Sequence, residues 1–174
     1  AIAATSMLAG GSRAEIWGSL LACYGAFAGR ELAVDQEVFK SECDTNQRNQ
    51  AISMLMYAYE RIKSHPLQAT DIYTEQCSVN VNARDLATMA ATLAAGGRNP
   101  VTNKRVMTAK NVPYVLAVMA TAGLYDDSGK WLYHTGLPAK SGVGGGIIAV
   151  SPGKFGIAVV SPPLDDAGNS VRAQ

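Results

Sequence analysis

Apolar residues recur at helical spacing through the first two thirds of the chain, then gather into short β-branched runs in the last third. Ser12-Arg13-Ala14-Glu15 has the form of a capping box, in which a hydroxyl and a carboxylate satisfy the orphan N–H groups of a helix start. Ile16, Leu20, Cys23, Tyr24 and Phe27 follow on one face, and Gly29 closes that helix. Ile52, Leu55, Met56, Tyr59 and Ile62 mark a second amphipathic stretch from about 46 to 63, ending before Pro66. A shorter helix is expected over about 70–78, with Cys77 on an apolar face as a buried, inert thiol. Asn82 caps another that carries Leu86, Met89, Ala90 and Leu93 and stops at Gly96-Gly97. Thr108 caps one more, running through Val115, Val118 and Met119 to Gly123 with Pro113 near its first turn.

Beyond Gly123 the character changes. Asp126-Asp127-Ser128-Gly129 is turn chemistry, and Lys130-Trp131-Leu132-Tyr133-His134 reads as a half-buried strand on which Tyr133 and His134 alternate. Gly146–Val150 and Phe155–Val160 are apolar runs joined by Ser151-Pro152-Gly153-Lys154, the signature of a hairpin with a Pro-Gly turn. The fold class expected is α+β: one partial domain over residues 1–174, mostly helical over about 1–123 and strand-rich over about 124–174. Two or three strands make a marginal sheet, so the chain is expected to supply only part of an antiparallel sheet.

With 174 residues, 48% hydrophobic and 17% charged, the composition is that of an ordinary soluble globular protein. The net charge of +1 has no basic run behind it, which argues against nucleic acid and anionic membrane as partners. Cys23, Cys43 and Cys77 form neither a Cys-x-x-Cys motif nor a set with paired His spacing, so a disulfide framework, a zinc site and an oxidising compartment are not indicated. No apolar run approaches the length of a membrane helix, and the opening Ala1–Ser6 lacks both an initiator Met and the basic flank of a secretory signal. Such an opening reads as an excerpt from a longer chain.

The chemistry concentrates at Ala139-Lys140-Ser141-Gly142-Val143-Gly144-Gly145-Gly146. A cation and a hydroxyl lead into backbone with few side chains, where a ligand can lie against bare N–H groups. Such an edge suits gripping a carboxylate or a developing oxyanion, which makes acyl transfer the first reaction class. Ser151-Pro152-Gly153-Lys154 is the only Ser-x-x-Lys in the chain. It is expected to be a decoy, because a hairpin turn has no helix to hold Lys154 beneath Ser151.

Several stretches together resemble the serine-dependent glutaminases: Ser41-Glu42-Cys43-Asp44, Arg48-Asn49, Asp71–Ser78, Leu93–Gly97, Gly123-Leu124-Tyr125, Leu137–Val143, Ser161–Asp165 and Gly168–Val171. The resemblance implies the fold of serine β-lactamases and penicillin-binding proteins, with Lys-Ser-Gly on the strand edging the active site. It implies hydrolysis of L-glutamine to L-glutamate and ammonia through a seryl acyl-enzyme, with no cofactor and no metal. By the same resemblance Glu42, Asn49 and Tyr73 bind the amino-acid end of the substrate, and Tyr125 binds substrate and relays protons. Val143 lends a backbone N–H to the oxyanion hole, and Lys140 is a further catalytic candidate. A cytoplasmic homo-oligomer, a tetramer in the family, is also implied. The family's helix-start Ser-x-x-Lys, nucleophile and base, would precede Ala1, so this stretch alone is expected to be inactive. The alternatives are a β-lactamase or D,D-peptidase-like acyl-transfer enzyme, and a noncatalytic binding module of the same fold.

Overall fold

A computed structural model describes residues 1–174. The chain divides into two compact units, one of residues 1–24 and 31–80, the other of residues 25–30 and 81–174. The elements run α1 Ile2–Thr5, α2 Arg13–Ala28, α3 Gln36–Thr45, α4 Gln47–Ala58, α5 Pro66–Cys77, α6 Ala83–Ala94, α7 Val112–Ala122, α8 Ser128–Thr135, then β1 Ala139–Gly142, β2 Gly146–Ser151 and β3 Phe155–Val160. Short 3-10 turns at Ala109–Asn111 and Tyr125–Asp127 precede α7 and α8.

In the first unit α5 is the central helix, touched by α1, α3 and α4. Pro66 occupies its first turn, where a missing N–H costs nothing, so α5 starts four residues earlier than periodicity suggested. Ile62, Ala69 and Ile2 form a small buried cluster, with Met56 and Tyr73 packed against it. At the start of α2, Ser12 Oγ accepts the Glu15 N–H at 3.2 Å, half of the expected capping box. Glu15 instead accepts the Gly11 N–H at 2.8 Å. Arg13 donates to Asp71 and to Glu75 on α5, each at 2.6 Å, tying the two helices by charge.

Two elements of this unit depart from the periodicity. The helix expected over about 46–63 ends at Ala58, because Arg61 N–H closes on the Met56 carbonyl at 2.8 Å and Glu60 takes a left-handed φ of 57°. Ile52, Leu55 and Tyr59 are exposed, and Ser53 is the residue α4 buries completely. The second departure is α3, a mostly polar helix whose apolar face is only Phe39 and Cys43, one turn apart and half-buried. Asp35 starts it by accepting the N–H groups of Glu37 and Val38.

The second unit layers α6 against an antiparallel sheet of order β1-β2-β3. Asn82 and Asp85 form a complete capping box at the start of α6. Ala90, Leu93 and Ala94 of this helix pack with Met119 of α7 and Val150 of β2. The helix lies so close to β3 that a Cβ at Gly156 would collide with the Ala90 and Ala91 backbone, which makes glycine obligatory there. The expected Pro-Gly turn joins β2 to β3, with Lys154 N–H on the Ser151 carbonyl at 3.0 Å and Gly153 at φ 73°.

Lys130–His134 is helical, not a strand. Trp131 and Leu132 are half-buried in succession while Tyr133 and His134 are both exposed, a one-sided pattern that suits α8 rather than alternation. Trp131 Nε1 donates to the Leu137 carbonyl at 2.8 Å, and Gly136 at φ 67° ends the helix with its N–H on Leu132.

Candidate active site

Ala139 and Ser141 of β1 are buried in the second unit, while Lys140 and Gly142 between and after them lie on the opposite face. Ser141 N–H donates to the Gly123 carbonyl at 3.0 Å, which ties β1 to the residue after α7. Leu124 N–H reaches Ser128 Oγ at 2.9 Å, and that hydroxyl donates to the Tyr125 carbonyl at 2.8 Å. Tyr125 is thereby held with φ at 52°, a left-handed conformation that costs a residue with a Cβ roughly 1–2 kcal/mol. The residue is 45% exposed, so the strained backbone holds Tyr125 at the surface rather than in the core.

The Lys140 ammonium lies 4.7 Å from the centroid of the Tyr125 ring, within cation–π range, and also donates to the Ser141 carbonyl. The residue as a whole is exposed, but burial of the ammonium lowers its pKa below the ordinary lysine value. Val143 stands exposed in the turn between β1 and β2, which closes with Gly145 N–H on the Gly142 carbonyl at 2.9 Å. Gly168, at φ 96°, lies beside both side chains: a Cβ there would be 3.6 Å from Tyr125 Cε2 and 3.7 Å from Val143 Cγ1. Tyr125, Lys140 and Val143 therefore meet in one place. Gly168 and Asn169, given no role from sequence, belong to the same cluster.

The other candidates lie in the first unit. Glu42 is exposed on α3, Asn49 half-buried on α4, and Tyr73 half-buried on α5. Tyr73 and Cys77 stand one turn apart on α5; Tyr73 acts to lower the pKa of the Cys77 thiol and the Glu42 carboxylate to raise it. Cys77 is exposed rather than buried, yet partial burial of its sulfur is the main cause that raises its pKa. Between α3, α4 and α5 opens a pocket of about 170 Å³, lined by Cys43, Asn46, Gln50, Leu67, Thr70 and Asp71. Asn46 is satisfied there, donating to Thr74 Oγ1 at 3.0 Å.

Ser151 ends β2 and Lys154 lies in the turn that follows, so this Ser-x-x-Lys is not on a helix; the turn rests on the end of α6, with the Gly153 N–H on the Ala94 carbonyl at 2.9 Å. No group of three or more His, Cys, Asp or Glu side chains is gathered where it could hold a metal ion. No helix is long and apolar enough to cross a membrane.

The α+β arrangement is that of the β-lactamase-like fold, as in the glutaminase structures it superimposes on. A family model described as Glutaminase matches residues 1–174, and the chain belongs to that family. It is 56% identical over its whole length to the glutaminase of Colwellia psychrerythraea and covers 56% of that protein. It is 53% identical to glutaminase 2 of Yersinia pestis, of which it covers 51%. A solved structure described as a probable glutaminase matches with a TM-score of 0.97 at 50% identity, over 99% of this chain and 56% of the other. Another, of a Bacillus subtilis glutaminase in covalent complex with 5-oxo-L-norleucine, has a TM-score of 0.93 at 30% identity, over 99% of this chain and 61% of the other. The chain thus spans about half the length of the curated relatives it matches.

Proposed function

We propose that these residues form part of the catalytic domain of a serine-dependent glutaminase, which hydrolyses L-glutamine to L-glutamate and ammonia. The observation that carries this proposal is the meeting of Lys140, Tyr125 and Val143 at one edge, in a chain that matches the family from end to end. A serine from a Ser-x-x-Lys helix outside residues 1–174 attacks the side-chain amide carbon of glutamine. The C–N bond breaks, the nitrogen takes up a proton and leaves as ammonia, and a glutamyl ester remains on the serine. Water then cleaves the ester, releasing glutamate and restoring the hydroxyl.

Tyr125 relays the proton, its exposed side chain standing beside Lys140 at the same edge. The Val143 N–H stabilises the oxyanion that develops on the amide oxygen. Glu42 opposes the α-ammonium, and Asn49 and Tyr73 hold the amino-acid end through charge-assisted hydrogen bonds. The covalent complex of the Bacillus subtilis glutaminase, formed by reaction with 6-diazo-5-oxo-L-norleucine, supports a covalent route. Both compact units belong to one catalytic domain in this scheme, and the enzyme works in the cytoplasm as a homo-oligomer, a tetramer.

The test compares the full-length protein with residues 1–174 expressed alone. The full-length enzyme should release ammonia from glutamine and take up the diazoketone on a serine outside these residues, located by peptide mass mapping. The shorter chain should do neither. Ammonia release by purified residues 1–174, or labelling at Ser151, refutes the scheme.

A further inference from the structure

We propose that Asn169 is a positioning residue for Tyr125, fixing the direction of the phenol from beneath; the inference rests on Tyr125 being the proton-relaying group. The Asn169 side chain is fully buried. Its Nδ2 donates to the Leu124 carbonyl at 3.2 Å and to Asp127 Oδ2 at 3.3 Å, gripping the chain immediately before Tyr125 and two residues after it. A non-glycine residue at φ 52° relaxes to an ordinary conformation unless its surroundings over-determine it. The two bonds from Asn169, with the Ser128 hydroxyl on the Tyr125 carbonyl, are that over-determination.

Asn169 is itself held from behind. Its N–H donates to Asp165 Oδ1 at 2.8 Å and its carbonyl accepts the Asp165 N–H at 2.8 Å. The next residue, Ser170, is also fully buried and donates to the Ser161 carbonyl. Ser161 N–H in turn donates at 2.9 Å to the Gly145 carbonyl, in the turn that carries Val143. The short segment 168–170 therefore supports the phenol and the turn with the oxyanion N–H together.

The carboxamide has an orphan atom. Both acceptors demand the NH2 group, so Oδ1 must point the other way, where it is buried without a partner. The cost of that unpaired acceptor is set against the two hydrogen bonds the Nδ2 group makes. What Asn169 supplies through them is the geometry of Leu124–Asp127.

The experiment is a double-mutant cycle in the full-length enzyme, with glutamine kinetics and melting curves for Asn169→Asp and Asn169→Ala, each alone and combined with Tyr125→Phe. Asn169→Asp keeps the shape but turns an oxygen toward two oxygens. It should lower kcat about ten- to a hundredfold, the scale of a small misplacement of a reacting group, with KM changed less than about threefold. In the Tyr125→Phe enzyme the same substitution should change kcat by less than about threefold, because the group it positions is already gone.

Independent, multiplying losses, or a near-parental kcat for both Asn169 variants, overturn the positioning role and leave the role of Tyr125 standing. A near-parental kcat for Tyr125→Phe overturns both. If both Asn169 variants fail to fold at the assay temperature, the residue serves stability and the proposal falls.

Discussion

The two units present their candidate residues in different ways. In the second, Tyr125 sits on a 3-10 turn with left-handed backbone, Lys140 on a strand and Val143 in a tight turn, and each is tied to a neighbouring segment by a backbone hydrogen bond or a close contact. In the first, Glu42, Asn49 and Tyr73 project from the flanks of three ordinary helices. A helix flank places a charge or an amide well enough to recognise a ligand. Bond-making needs tighter tolerances, and strain is tolerated where they are met. The contrast predicts that substitutions in the second unit act on turnover and those in the first on affinity.

The largest effect should come from Tyr125→Phe, which keeps the ring beside Lys140 and Gly168 but removes the exchangeable proton. In the full-length enzyme kcat should fall by a factor on the order of 10²–10⁴, with KM little changed and the melting temperature at its parental value. A folded variant whose loss appears in KM would erase the contrast.

Next in size, Glu42→Gln removes the charge that the proposed scheme sets against the substrate ammonium. It should lower kcat/KM about ten- to a hundredfold, nearly all through KM, as expected for loss of one charge-assisted bond. Steady-state kinetics over a wide glutamine range separates the two parameters. An equal fall in kcat would place Glu42 in the transition state and make the first unit chemical as well.

What could be read from sequence follows the same division. Helix α6 and strand β2 were legible because their apolar spacing is the spacing of the faces they bury, whereas α2 and α7 were placed although Cys23 and Val118 of their expected faces are exposed and α7 starts at Val112 without the expected Thr108 cap. The polar helix α3 was not legible, since only Asp35 signals it, and α8 was misread because the five side chains of Lys130–His134 cannot distinguish a one-sided helix from a strand. The Lys-Ser-Gly motif singled out Lys140 as a candidate by its chemistry. Tyr125 was visible only by resemblance, because its left-handed backbone is imposed by residues beyond its own neighbourhood. Asn169 lies 45 residues from the Leu124 carbonyl it holds, and nothing local in Gly168-Asn169-Ser170 announces that bond.

The smallest effect tests whether the second unit's scaffold can be weakened without touching its chemistry. Asp85 is buried at the start of α6, accepts the Asn82 N–H at 2.9 Å, and pairs with Arg30 through two bonds of 2.8 and 2.6 Å. The Arg30 hydrogen bonds, more than burial opposes them, hold its carboxyl below the usual aspartate range, and the Asn82 N–H adds to the effect. A depressed carboxyl stabilises the fold at pH above its unfolded value of about 3.9, and that contribution fades as pH falls through the folded value. Asp85→Asn should therefore cost about 0.3–2 kcal/mol near neutral pH, the usual worth of a carboxylate charge in a first helical turn, or about 2–4 °C of melting temperature per kcal/mol. Below about pH 4 the parental and variant curves should converge. At temperatures where both are folded, kcat should be unchanged, because Asp85 holds a helix end and not Tyr125. A constant difference in melting temperature from pH 7 to pH 3 would show that the carboxylate's charge contributes nothing. A fall in kcat would show that the scaffold and the catalytic edge cannot be separated.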